Sequence, residues 1–283
     1  MNKRDEIIAK ALSIPRLAPS AHQIIERLSD PGTDAASVSR IIELDPGLTA
    51  NILRLANSAL LGFTVPVATV KEAVIRIGLT QICQLAIAAG VAPRTRIGIK
   101  GYDLKPGELL EQSIGTGLAA VELGKLLKRD IPAYVFTAGL LINIGKIVLG
   151  EYMEIDASPI LKKAYEELIP FEKAEEAILG ISHTELGAML LAHWQIPAPI
   201  VNVVRYRLNP EDSPVVDVAL DLVHVGDIIT KMTGIGMGLD GMHYTPSVVV
   251  FDRLGIEPGM LEAVMAAIVT GVGELKRAFL GEA

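Results

Sequence analysis

The pattern of apolar and polar positions predicts helices along the whole chain. Residues 45 to 62 show this most clearly, because apolar residues recur there at helical spacing, namely Leu48, Ile52, Leu55 and Ala59. Asp45 is a suitable N-cap for this helix, and Pro46 fits its first position, where a missing N–H costs nothing. The run VVVF at residues 248 to 251 is a short strand candidate. The chain as a whole is predicted to be all-α.

Further helix starts are marked by capping boxes, in which a Ser or Thr is followed three residues later by Glu or Gln. Such boxes occur at residues 20 to 23, 69 to 72 and 182 to 185. The last of them places His183 at the first position of a helix, where the helix dipole disfavours the protonated imidazole. A neutral imidazole there is suited to binding a metal or to donating a hydrogen bond.

Residues 137 to 150, TAGLLINIGKIVLG, are apolar on nearly every side of a helix and carry only Asn143 and Lys146 as long polar side chains. Such a helix is expected at the centre of a fold. It is too short to span a bilayer, so its surroundings must be protein. We predict one continuous core helix over this stretch.

The best internal boundary is the segment 93 to 107, whose two prolines and three glycines break the helical periodicity. We therefore predict one domain over residues 7 to 283, made of an N-terminal helical half (7 to 92), a connector (93 to 107) and a second helical half (108 to 283). The last helix starts near Pro258 and is predicted to dock on the body of the fold.

Composition and charge exclude several classes of protein. Half of the 283 residues are hydrophobic but only 4% are aromatic, which suits packed helices. A net charge of −7 and the lack of a basic run with aromatics argue against a nucleic-acid partner. No run of about twenty apolar residues is evident, so no membrane span is expected and a cytoplasmic location is predicted. Cys83 is the sole cysteine, which excludes an intrachain disulfide and predicts a small buried hydrophobe.

Four stretches resemble successive blocks of the HDOD family: LDPGLTANILRLANSALLG, TVKEAVIRIGLTQI, TAGLLINIGKIVL and ILGISHTELGAMLLAHWQIPAPIV. This family is related to the HD-domain metal-dependent phosphohydrolases and occurs in bacterial signalling proteins. The resemblance covers residues 7 to 210. It implies an all-helical, HD-like bundle with the N-terminal helical half packed against it.

In the hydrolase relatives the metals are held by a His, a His-Asp doublet and a later Asp. The resemblance places Gln112 at the first His, Ile142 and Asn143 at the doublet, and Asp227 at the last Asp. Only Asp227 is therefore retained as a metal ligand. Additional family histidines would fall at residues 207 and 208 and are also replaced, whereas His183 matches a retained histidine.

The replacing residues argue against a bound metal. Ile142 has no lone pair, and Gln112 and Asn143 offer only neutral amide oxygens. Arg207 would add a fixed positive charge that repels a cation. We predict that Arg207 pairs with Asp227 and takes over the neutralising role of the metal.

The sequence favours a catalytically inactive signalling or regulatory protein that acts through contacts with other signalling proteins, without metal or cofactor. A small ligand in a vestigial pocket is a further expectation; the pocket is formed by Gln112, Ile142, Asn143, Lys146, His183, Arg207, His224 and Asp227. One alternative is a phosphodiesterase with a single metal held by His183, His224, Asp227 and Asn143. Another is a nucleotide sensor in which Lys146 and Arg207 hold phosphate. His224 and Asp227 lie three apart on one helical face, although His224 also suits a hydrogen-bonded position between helices.

Overall fold

The computed structural model describes residues 2–14, 17–28, 32–58, 61–153, 157–241 and 244–280. Its α-helices, numbered in chain order, are α1 (Lys3–Ser13), α2 (Pro19–Leu28), α3 (Ala35–Glu43), α4 (Pro46–Ala56), α5 (Val70–Ile77), α6 (Leu79–Val91), α7 (Glu108–Leu126), α8 (Val135–Leu141), α9 (Ile144–Met153), α10 (Ser158–Glu167), α11 (Phe171–Leu179), α12 (His183–His193), α13 (Ala198–Tyr206), α14 (Val218–Met232), α15 (Val248–Leu254) and α16 (Pro258–Leu280). Short 3-10 turns occur at Ala92–Thr95, Lys100–Tyr102, Pro210–Asp212 and Leu239–Gly241. No β-strand lies within the described ranges, so the all-α prediction is confirmed.

Side-chain caps fix several helix starts where the sequence predicts them. The side chains of Asp45, Thr69 and Ser182 each accept a hydrogen bond from the backbone N–H three residues further on, at 3.0, 3.1 and 3.3 Å. These three N-caps are confirmed. The predicted cap at Ser20 is wrong, because α2 already begins one residue earlier. The Ser20 hydroxyl instead donates to Asp45 Oδ2 at 2.6 Å and so ties α2 to the start of α4.

The predicted continuous core helix over residues 137 to 150 is interrupted. It is divided into α8 and α9 by a turn at Ile142 and Asn143. The tertiary structure explains the break, because the Asn143 side chain bonds to neighbouring elements and α9 packs unusually close to α12. A Cβ atom at Gly145 would lie only 2.0 Å from the backbone oxygen of His183. The glycine therefore permits the close approach of α9 to the start of α12.

The strand candidate at residues 248 to 251 is also corrected, since these residues begin α15. The Ser247 side chain caps this helix by accepting a hydrogen bond from Val250 N at 3.1 Å. The valine run favours a strand by propensity. Val248 and Val249 are nevertheless exposed, and no strand in the described part of the chain is available to pair with them. The local cap therefore decides the structure.

Helix α7 is central to the fold and packs against α8, α14 and α16. Helices α2 to α6 pack on one another, and α6 also contacts α8. The predicted docking face of the last helix is buried at Val264, Ile268, Val272, Leu275 and Phe279. Cys83 is buried as predicted, and this burial raises the pKa of its thiol to about 12.

Two segments are long and apolar enough to cross a membrane by length and composition alone, namely Val135–Met153 and Pro258–Phe279. This corrects the expectation that no run reaches such a length. The window in the first segment is 83% buried inside the protein, as a core helix is, whereas only 22% of the window in the second is buried. The outer face of α16 is thus left uncovered by the rest of the described chain.

Candidate functional site

The side chains predicted to form the vestigial pocket are brought together by α7, the α8–α9 turn, α9, α12, the end of α13 and α14. None of them is more than 3% exposed: Gln112, Ile142, Asn143, Lys146, His183, Arg207, His224 and Asp227. Ile142 contributes only apolar surface. The others take part in a buried network of hydrogen bonds and ion pairs.

Two amides stand where the resemblance places metal ligands, and they bind to each other. Asn143 Nδ2 donates to Gln112 Oε1 at 3.2 Å and lies 3.4 Å from Ser113 Oγ. Lys146 Nζ lies 3.4 Å from the same Gln112 oxygen. The amide oxygen of Gln112 therefore already accepts from the Asn143 amide and from the Lys146 ammonium group.

His183 uses both of its ring nitrogens. Its Nε2 lies 2.9 Å from Arg207 Nη2, and its Nδ1 lies 2.7 Å from Glu175 Oε2. A guanidinium can only donate, so Nε2 accepts and Nδ1–H donates to the carboxylate. The imidazole is therefore neutral, and its Nε2 lone pair, which a metal would require, is bound to Arg207.

Glu175 holds His183 in this orientation and is itself fully buried. Its Oε2 also accepts from the backbone N–H of His183 at 2.8 Å, and its Oε1 accepts from the Tyr102 hydroxyl at 2.5 Å. The sequence reasoning missed both Glu175 and Tyr102. Neither residue stands in a motif, and only the packing of α11 and the 3-10 turn at Lys100–Tyr102 around α12 brings them to the histidine.

The retained Asp227 carboxylate is neutralised by two cations. Arg207 Nε lies 3.8 Å from Asp227 Oδ2, which is an ion-pair distance but too long for a hydrogen bond. Lys231 Nζ makes the direct contact to that oxygen, at 3.0 Å. Burial raises the pKa of Asp227, but Lys231 and Arg207 hold it below its ordinary value overall. Lys231 was missed, although its spacing of four residues from Asp227 on one helix is a signal that points to it.

Lys146 forms a second buried ion pair with Asp240, in the 3-10 turn at Leu239–Gly241, with 2.7 Å between Nζ and Oδ2. Burial raises the pKa of Asp240, but Lys146 above all brings it well below the ordinary value. Asp240 was also missed. It lies in the stretch GMGLDG, which follows a helix and so does not fit a dinucleotide-binding loop.

His224 is a hydrogen-bonded histidine between structural elements. Its Nδ1 donates to the backbone oxygen of Arg207 at 2.6 Å, and its Nε2 accepts from Ser247 N at 3.0 Å. Burial lowers the pKa of the imidazole. Both ring nitrogens are therefore used in holding α14 to the residues that follow α13 and precede α15.

The donor set does not fit a divalent metal. Three cationic side chains are interleaved with three carboxylates in the cluster, namely Lys146, Arg207 and Lys231 with Glu175, Asp227 and Asp240. One oxygen of Asp227 and one of Asp240 have no hydrogen-bond partner in the described part of the chain. Two such oxygens beside three cations fall short of the four or more ligands that divalent cations take. The described residues contain no group of three or more His, Cys, Asp or Glu arranged to hold a metal.

Helical architecture and a buried site at the HD position define the class as an HD-like helical domain. Residues 14–210 match the family model of the HDOD domain, and the chain therefore belongs to the HDOD domain family. An uncharacterized protein of Treponema pallidum (strain Nichols) is 26% identical over 202 residues, which are 71% of this chain and 39% of that protein. The matched region thus spans well under half the length of that relative.

Solved structures share the fold. An HDOD domain protein of unknown function from Geobacter sulfurreducens superposes with a TM-score of 0.71 at 23% identity, covering 98% of this chain and 97% of that one. A Shewanella amazonensis protein provisionally named a phosphohydrolase gives 0.70 at 22% identity, with 98% of each chain covered. A Marinobacter aquaeolei protein provisionally assigned to signal transduction gives 0.70 at 20% identity, covering 95% of this chain and 60% of that one. At these identities the likeness establishes the fold alone.

Proposed function

We propose that this HDOD domain is a catalytically inactive signalling or regulatory module that acts through contacts with other proteins. The observation that supports the proposal is that side-chain cations of the protein pair with carboxylates at the position where the hydrolase relatives hold metal ions. Lys231 and Arg207 neutralise Asp227, and Lys146 neutralises Asp240. Both of these carboxylates are thus paired with cations of the protein itself.

Energetics support this interpretation. A metal on the unpartnered oxygen of Asp227 would lie beside the Lys231 ammonium, which holds the other oxygen, and a metal on His183 would have to displace the Arg207 guanidinium. If both Asp227 oxygens were to bind the metal, the buried pair with Lys231 would be broken, and removing one partner of such a pair typically costs about 3–5 kcal/mol. The two cations would also repel the incoming divalent ion at short range. Metal binding is therefore disfavoured both by the protein interactions that it would disrupt and by repulsion from the cations.

The length of a relative supports a role as a module. The Treponema pallidum protein contains this region as 39% of its length, so the domain there is joined to other segments. A domain that responds to or contacts neighbouring segments fits such an arrangement. The structural neighbour provisionally assigned to signal transduction is consistent with it.

The hydrolase alternative is less well supported. It requires His183, His224, Asp227 and Asn143 around one metal, and the ring nitrogens of both histidines are already engaged. The nucleotide-sensor alternative requires Lys146 and Arg207 to hold phosphate. Both side chains are 1% exposed, and Lys146 is ion-paired to a carboxylate that phosphate would have to replace.

A phosphodiesterase assay tests the proposal. The purified chain is incubated with bis(p-nitrophenyl) phosphate and with cyclic dinucleotides in the presence of manganese, beside an Asp227→Asn variant. We expect both proteins to give the same background rate. Turnover by the wild-type chain that is lost in Asp227→Asn would establish the hydrolase instead. A saturable thermal shift with a nucleotide that disappears in Lys146→Met would favour the sensor.

A further inference from the structure

The last helix, α16, has one side that no other described part of the chain covers. Only 22% of its most apolar window is buried. The uncovered side consists of exposed residues that recur at intervals of three and four, so they line one face of the helix. We call this the outer face of α16; its residues are Gly259, Glu262, Ala263, Ala266, Val269, Thr270, Gly273 and Arg277.

The shape of the outer face fits another helix. Between its two charged residues it exposes only small or apolar side chains, and Val269 is 66% exposed. A Cβ atom added at Gly259 would have no neighbour within 4 Å, and one added at Gly273 would meet only the end of the Arg277 side chain, at 3.8 Å. Small residues of this kind let the axes of two helices approach to about 8 Å.

The charges of the outer face specify what the second helix is. Glu262 lies seven residues before Val269, and Arg277 lies seven residues after Thr270. A two-fold axis that passes between residues 269 and 270 therefore brings Glu262 of one copy beside Arg277 of the other, and does so twice. A parallel pair would set like charges against each other, which is repulsive. The face is thus complementary to itself in the antiparallel orientation.

We propose that the outer face of α16 binds a second copy of this chain, with the two helices antiparallel about an axis between Val269 and Thr270. A helix of 23 residues is about 35 Å long and about 10 Å across, so two such faces together cover of the order of 700 Å². Interfaces of that size belong to weak, reversible complexes. The proposal goes beyond the proposed function and does not depend on the buried charge cluster.

Sedimentation equilibrium of the full chain between about 10 μM and 1 mM tests the association. We expect a reversible dimer with a dissociation constant of the order of 0.1 mM. Glu262→Arg and Arg277→Glu should each weaken it at least about tenfold, because two attractive pairs become repulsive. Both residues are exposed, so these variants should fold. The control Lys71→Glu changes the net charge as Arg277→Glu does, at an exposed position of α5, and should leave the dimer unchanged.

Mixing the two variants tests the antiparallel arrangement itself. A Glu262→Arg chain carries two arginines on the outer face, and an Arg277→Glu chain carries two glutamates. An equimolar mixture should therefore form a heterodimer at least as tight as the wild-type dimer, although neither variant associates alone. The double variant with both changes should dimerise again. Damage to the fold would not be rescued by mixing.

Disulfide trapping gives an independent measure of the register. The native Cys83 is buried and its thiol pKa is raised to about 12, so an introduced cysteine is the reactive one. Thr270→Cys lies beside the proposed axis and should form a covalent dimer on mild oxidation. Ala263→Cys is equally exposed, but its copy lies about 20 Å away along the pair at about 1.5 Å per residue, and it should remain largely monomeric.

Several results would overturn the proposal. They are a monomer at 1 mM, a dimer that both charge reversals leave unchanged, a mixture of the two variants that stays monomeric, or equal trapping of Ala263→Cys and Thr270→Cys. Flotation with phosphatidylcholine–phosphatidylglycerol vesicles addresses the other occupant of an apolar helix face. If the monomer binds these vesicles and Val269→Glu abolishes that binding, the face is a membrane contact and the proposal fails.

Discussion

Lys231 is the closest cationic partner of the buried Asp227 carboxylate, and its removal is the sharpest perturbation of the charge cluster. The Lys231 Nζ lies 3.0 Å from Asp227 Oδ2, whereas Arg207 Nε lies 3.8 Å away. Asp227 is 2% exposed, and its other oxygen has no hydrogen-bond partner in the described ranges. The substitution Lys231→Met keeps the length of the side chain and leaves this carboxylate with only the more distant guanidinium.

The expected cost follows from the burial of the pair. Removing one partner of a buried ion pair typically costs about 3–5 kcal/mol, because the remaining charge is left uncompensated. Arg207 retains part of the compensation. We therefore expect the free energy of unfolding of Lys231→Met to fall by about 3 kcal/mol at pH 7, measured by urea denaturation. Lys231→Arg keeps the charge and should lose less.

The dependence on pH separates this electrostatic cause from lost packing. In the wild-type protein the cations hold the pKa of Asp227 below its ordinary value, so its contribution to stability is lost only as the pH falls through that lowered pKa. Without Lys231, burial should raise the pKa above its ordinary value. Protonation then begins at a higher pH than in the wild-type protein and removes the unpaired charge, so the difference between the two proteins should shrink on acidification.

The double variant Lys231→Met with Asp227→Asn removes both charges and should recover more than half of the loss. Two results would refute the reasoning. One is a Lys231→Met protein within about 0.5 kcal/mol of the wild type at pH 7. The other is a double variant whose loss equals the sum of the two single losses.

Three further predictions concern packing, a buried hydrogen bond and pH. Gly145→Ala should destabilise the fold by about 3 kcal/mol, because the added Cβ would lie 2.0 Å from a backbone oxygen. The control Gly259→Ala, where nothing lies within 4 Å of the added Cβ, should be neutral or stabilising, and equal melting temperatures of the two variants would contradict this. Tyr102→Phe should lower the free energy of unfolding by about 1.5–3 kcal/mol through the lost bond to Glu175, and an unchanged denaturation midpoint would exclude that. Burial lowers the pKa of His224, so on acidification the unfolded chain binds a proton at this residue before the folded chain does, and His224 destabilises the fold below about pH 6.5. The free energy of unfolding should therefore fall less on acidification in His224→Gln than in the wild-type protein. Parallel profiles of stability against pH would argue against this.

Much of the fold follows from local patterns in the sequence. The N-caps at Asp45, Thr69 and Ser182 are confirmed because a cap depends on residues only a few positions apart. The pattern suggested a strand at residues 248 to 251 and a continuous helix through Asn143, and both predictions are wrong. Both are decided by a competing cap or by tertiary contacts, which hydrophobic periodicity does not contain.

The candidate site was predictable in position but not in its electrostatics. The resemblance brought Gln112, Asn143 and Arg207 to one place, and the structure gathers them there. The partners that balance the charges, Glu175 and Asp240, lie on other elements and carry no motif of their own. They can be identified only from the packed structure, because the partner of a buried charge is close in space but can be far away along the chain.

In the proposed function, cations of the protein occupy the place of the metal ions. Elemental analysis of the chain, purified without chelator and then dialysed against manganese, iron and zinc, tests it most directly. We expect far less than one bound ion per chain, and the same result for the Asp227→Asn variant. One or more ions per chain, lost in the Asp227→Asn variant, would contradict it.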